Sequence, residues 1–89
     1  MKIFIVEDNA SHLKLLKAKV NSLGYQVIGS SQTIQQVLPT IQQTLPDVVL
    51  VDINIQGENH GIQLAKEIKE NTNAAVSYTH LRAHETRHD

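Results

Sequence analysis

Pro46-Asp47-Val48-Val49-Leu50-Val51-Asp52-Ile53-Asn54 is the stretch from which the rest of the chain can be read. Four consecutive apolar residues, three of them β-branched, lie between a proline-aspartate turn and a second aspartate. A strand that is apolar at every position is covered on both faces, as a central strand of a parallel sheet is. Asp52 then falls at the carboxyl end of that strand. In open α/β sheets this is the edge where ligands bind.

Working outward, Lys2–Val6 is a short β-prone run that stops at the polar Glu7-Asp8-Asn9. From Ser11 to Leu23 the apolar residues Leu13, Leu16, Val20 and Leu23 recur at three- and four-residue spacing, and Gly24 follows as a stop. Tyr25–Gly29 reads as a second strand, with Ser30 and Ser31 after it offering loop or N-cap chemistry. A second helix is expected from Thr33 to Leu45 on the stripe Ile34, Val37, Leu38, Ile41 and Leu45. Pro39 falls inside it and predicts a kink or a late start, because proline lacks the amide donor and crowds the preceding turn. After the polar loop Asn54–Gly61, a third helix from Ile62 to Glu70 turns Leu64, Ala65 and Ile68 inward.

Strand and helix thus alternate three times with short connections. This order demands right-handed crossovers and a parallel sheet with helices on both faces, so the fold class is α/β, doubly wound. At 89 residues the chain holds one small domain. With 40% hydrophobic and 19% charged residues it has ordinary globular composition and no apolar run able to span a bilayer. Its start shows no secretory pattern, which makes the cytoplasm the default compartment. The absence of cysteine excludes disulfides and thiolate metal sites. A formal net charge of −1 gives no electrostatic footprint for nucleic acid, and membrane association has no carrier either.

In a parallel sheet all strand carboxyl ends share one edge, so Glu7 and Asp8 are expected beside Asp52. Three carboxylates there repel unless a divalent cation joins them, and an all-oxygen set suits Mg²⁺. The backbone carbonyl of Asn54 is a further candidate oxygen. Such a site supports phosphoryl transfer, with the metal offsetting phosphoryl charge and one carboxylate acting as nucleophile. Asp52 is the best nucleophile, since it follows directly on a rigid buried strand. Taken singly, each acid reads as an ordinary turn residue at a strand end; together, with the order and spacing of the elements, the three read as a site.

Ile3–Asn9, Pro46–Ile55 and Gly61–Ala65 together resemble the successive signatures of two-component response-regulator receiver domains. The similarity runs from Met1 to about Ala74. It implies a flavodoxin-like sheet, Mg²⁺ held by Glu7, Asp8 and Asp52, and phosphoryl transfer to Asp52 from a sensor histidine kinase or phosphotransfer protein. It also implies a shift of the fourth helix and fifth strand that alters partner binding, often through a downstream output domain. Gln56-Gly57 stands where the family often has Pro-Gly, and His60 where it often has Asp. His60 and His12 are read as solvated histidines rather than ligands.

Two other functions fit the same fold. A receiver-like interaction module would need no phosphorylation, but the three acids together argue against it. An aspartyl-phosphate phosphatase would use a second acid two residues after the first, where Asn54 cannot transfer a proton.

The last residues read differently. Val76–Thr86, eleven consecutive residues, resemble a translated frame of the transposase adapter used in sequencing-library preparation. The expectation is therefore that residues 1–75 are the N-terminal portion of a receiver domain, three of its five strand–helix units, and that residues 76–89 are a non-native tail. His80, His84 and His88 with Glu85 mimic a zinc set at helical spacing, and Thr79 mimics the family's switch threonine; neither is assigned a role. Loss of the following strand is expected to leave Val48–Val51 with an open apolar edge that favours association and a chain only marginally folded.

Overall fold

The computed structural model describes residues 1–53, 55 and 60–79. Its elements run β1 (Lys2–Val6), α1 (Ala10–Ser22), β2 (Gln26–Ser31), α2 (Val37–Thr44), β3 (Val48–Asp52), α3 (His60–Asn71) and β4 (Ala75–Thr79). The four strands form one parallel sheet in the order β2-β1-β3-β4. The apolar runs of β1 and β3 occupy its centre, as expected of strands apolar on both sides. The flavodoxin-like, doubly wound architecture follows from this order.

Alternation along the central strands sorts the core into two layers. Phe4, Val6, Val49 and Val51 pack with residues of α2 and α3 on one face. Ile3 and Ile5 pack with Val20 of α1 on the other, where Leu13, Leu16, Val48 and Leu50 are only partly buried. Between Ile3 and Phe4 the register with β2 shifts, so that Phe4 lies opposite Gly29.

The helices begin and end for local reasons. Asn9 caps α1 by accepting the His12 amide at 3.0 Å, and Gly24 adopts the left-handed φ of 88° just after the helix. Helix α2 starts at Val37, four residues later than Thr33. Pro39 thereby sits in the first turn, where its missing donor has no intrahelical partner to lose. A late start is one of the two outcomes that Pro39 predicts.

One expectation is corrected. Residues 75–79 form a strand, β4, which pairs with β3 along its whole length from Val48↔Ala75 to Asp52↔Thr79. The sheet therefore carries one strand after the three strand–helix units. The edge of β3 is covered, not open. Backbone pairing needs no strong apolar run, which is why the alternating Ala75-Val76-Ser77-Tyr78-Thr79 suffices at a sheet edge.

Candidate functional site: a buried carboxylate cluster at the β1–β3 switch

Chain order reverses at β1. The chain runs outward to β2 and then crosses back to β3, which leaves a crevice at the carboxyl ends of β1 and β3. Val6 and Val51 are register partners, so the residues after them, Glu7 and Asp52, are brought to the same level. Ligand oxygens of Glu7, Asp8 and Asp52 all lie within 4.8 Å of one another. The structure thus assembles three of the four expected site residues. The fourth, Asn54, lies outside the described residues.

The three acids differ in their surroundings. Glu7 is 1% exposed and Asp52 8%, whereas Asp8 faces solvent. The Glu7 amide donates to Ser31 of β2 at 3.0 Å, and its Oε2 accepts the Asn9 amide at 3.1 Å. Asn9 therefore holds Glu7 and caps α1 at once. The other oxygen, Oε1, is buried with no donor facing it. Burial pushes the Glu7 carboxyl up to about 7. The nearby Asp52 and Asp8 carboxylates add to this, against the lowering influence of the Asn9 amide.

An acceptor that is buried, orphaned and crowded by two other carboxyls is a poor arrangement for a bare protein. It fits a hard divalent cation, which takes oxygen donors and cancels their repulsion. Among the described residues this is the one cluster of three able to hold a metal.

The backbone around Asp52 is tied on several sides. Its carbonyl accepts the Ile55 amide at 3.2 Å, the Ile53 amide donates to Thr79 at 3.0 Å, and the Ile53 carbonyl accepts the Gly61 amide at 3.1 Å. Ile55 is fully buried, which anchors the turn after β3. Gln32 reaches from the turn after β2 to the Asp8 carbonyl at 3.3 Å.

Thr79 has no role assigned from the sequence, yet the structure seats it opposite Asp52 with its Oγ1 buried and lacking a partner. The signal was present in the two-residue alternation of Val76 and Tyr78 with Ser77 and Thr79. His60 is exposed at the first position of α3 and His12 is half-buried in α1. His80, His84, His88 and Glu85 lie outside the described residues. A cleft of about 530 Å³ opens at the opposite edge of the sheet, lined by Leu45, Pro46, Asp47 and Asn71 among others, and shares no residue with the acidic cluster.

The sequence profile of the response regulator receiver domain matches residues 3–88. The chain belongs to that family. Its fold is that of a receiver domain of two-component systems. Over 75 residues, 84% of its length, it is 31% identical to the probable transcriptional regulator ycf27 of Guillardia theta. Over 67 residues, 75% of its length, it is 32% identical to the chemotaxis protein CheY of Thermotoga maritima. The matched stretch of this chain spans 29% of the first relative's length and 55% of the second's. Among solved structures it is similar to the signal receiver domain of a modulated diguanylate cyclase from Desulfovibrio desulfuricans G20. That match has a TM-score of 0.84 and 25% identity, and covers 96% of this chain and 67% of that one. The receiver domains of such relatives are signalling domains. Among the described residues no helix is long and apolar enough to cross a membrane.

Proposed function

We propose that Asp52 is the phosphoryl acceptor of a Mg²⁺-dependent phosphorelay, charged by a sensor histidine kinase or a phosphotransfer protein. The observation that carries this reading is the buried carboxylate cluster, above all the orphaned Oε1 of Glu7 beside Asp52. Glu7, Asp8, Asp52 and the backbone carbonyl of Asn54 would hold the ion. When bound, Mg²⁺ supplies positive charge against the phosphoryl oxygens.

The protein's own part is positioning. A carboxylate oxygen of Asp52 forms the O–P bond while the donor's P–N bond breaks, the electron pair staying with the imidazole nitrogen. β3 holds that oxygen at a fixed height above the sheet edge, and Asp52 is largely shielded from water. Asp8, facing solvent, would offer the ion the cluster's exposed carboxylate. The activity serves signalling, in the cytoplasm, with a kinase upstream and an output partner downstream.

Residues 76–89 are, in the same reading, adapter-derived rather than native. The natural protein then carries another sequence where β4 stands. Sequencing the uninterrupted gene across codon 75 tests this; a natural reading frame that continues Val-Ser-Tyr-Thr-His refutes it.

The acceptor assignment is tested by incubating the 89-residue chain with Mg²⁺ and a radiolabelled small phosphodonor. Label is expected on Asp52, sensitive to chelator. An Asp52→Asn protein that labels as well as the parent would refute it.

A further inference from the structure

We propose that Gly61 is a positioning residue for the acceptor: the absence of a side chain there sets where the Asp52 main chain sits. This rests on the reading of Asp52 as the phosphoryl acceptor. Gly61 is buried in the first turn of α3, and its amide donates to the Ile53 carbonyl at 3.1 Å. A Cβ at this position would overlap the Asp52 carbonyl oxygen outright. It would also lie 2.7 Å from the oxygen and 2.8 Å from the carbon of the Ile53 carbonyl. All three obstacles are backbone atoms, so no side-chain rotation relieves the contact.

The helix start therefore rests directly on the peptide that carries the acceptor. That peptide has little room to yield. The Asp52 carbonyl is already bound by the Ile55 amide, Ile55 is buried in the core, and the Ile53 amide is tied to Thr79 of β4. Any side chain at position 61 must lift α3 or push Asp52 away from Glu7 and Asp8. A shift of about 1 Å in a reacting group costs up to about 100-fold in rate.

Gly29 provides the control. A Cβ there meets only the ring of Phe4, at 2.9 Å, on the other side of β1 and remote from Asp52. Gly29→Ala is expected to lower the melting temperature yet label Asp52 within about twofold of the parent, per folded molecule. Gly61→Ala is expected to label about 10- to 100-fold more slowly at matched fraction folded, with weaker Mg²⁺ affinity. Trimethylamine N-oxide brings the two variants to equal fraction folded.

Labelling of Gly61→Ala at the Gly29→Ala rate, or unchanged Mg²⁺ affinity, overturns the proposal and leaves the acceptor reading intact. Absence of both label and Mg²⁺ binding in the parent and Gly29→Ala alike overturns the acceptor reading, and this one with it. A readout on the unsubstituted protein covers the case in which Gly61→Ala does not fold. The Gly61 amide resonance is expected to move with those of Ile53 and Ile55 when Mg²⁺ is added. Movement of Ile53 without Gly61 overturns the assignment.

Discussion

Asp47 and Asp52 stand at the two ends of the same five-residue strand, β3, and the structure uses them in opposite ways. Asp47 is exposed, and its Oδ2 accepts the Lys2 amide at 2.7 Å. Its carbonyl accepts the amide of Ala75 at 3.0 Å, and its own amide donates to Lys2 at 2.8 Å. It ties the amino-terminal ends of β1, β3 and β4 together. Asp52 is 8% exposed and faces two further carboxyls. One end of the strand satisfies its polar groups with backbone partners; the other end assembles like charges that a bare protein would avoid. The contrast separates an aspartate that builds the sheet from one that the sheet presents.

The largest effect should come from exchanging the carboxylates at the two ends. Asp52→Asn is expected to lower phosphoryl incorporation at least about 100-fold, while Asp47→Asn labels within about twofold of the parent. Equal losses would break the contrast between the ends.

Glu7→Gln comes next. Removing the buried charge is expected to stabilise the metal-free protein near neutral pH by at most about 3 kcal/mol, and to weaken Mg²⁺ binding about tenfold or more. Calorimetry on the chelated and the Mg²⁺-loaded protein measures both.

The pH dependence of the parent sharpens the same point. The Glu7 carboxyl is raised from 4.5 to about 7 in the folded protein, so the folded state holds its proton more tightly than the unfolded chain does. The contribution of this group to stability is complete below pH 4.5 and is lost as pH rises through about 7. Metal-free denaturation midpoints from this group should therefore fall across that window, and saturating Mg²⁺ should flatten the fall by taking the proton's place. A midpoint that rises with pH in chelator would contradict the burial of an unpartnered Glu7.

The smallest effect belongs to the other end. Asp47→Ala removes one exposed hydrogen bond and is expected to cost about 1 kcal/mol in urea unfolding without changing Mg²⁺ affinity.

Much of this was legible in the residues. The apolar run Val48–Val51 gave a central strand, the stripes of α1 and α3 gave helices to within two residues, and Glu7, Asp8 and Asp52 were placed at one edge. These features depend on periodicity and on the direction of parallel strands, both local or topological properties. β4 was legible only in the short alternation of Val76 and Tyr78 with Ser77 and Thr79, because an edge strand is held by backbone bonds to β3 and needs little of its own side chains. The start of α2 was narrowed by Pro39 to two outcomes and no further. Leu45, which ends α2 with a left-handed φ of 54°, carries no glycine or asparagine to announce itself.

The sequence by itself determined an α/β chain of the receiver family with three acids able to meet at one sheet edge, since strand polarity alone carries Glu7, Asp8 and Asp52 there. Only the tertiary structure decided which of them is buried, which oxygen of Glu7 is orphaned, and why position 61 has no room for a side chain. Those depend on distances between atoms far apart in the chain: β1 against β3, and the first turn of α3 against the Asp52 peptide. Packing sets such distances, and no local pattern of residues encodes them.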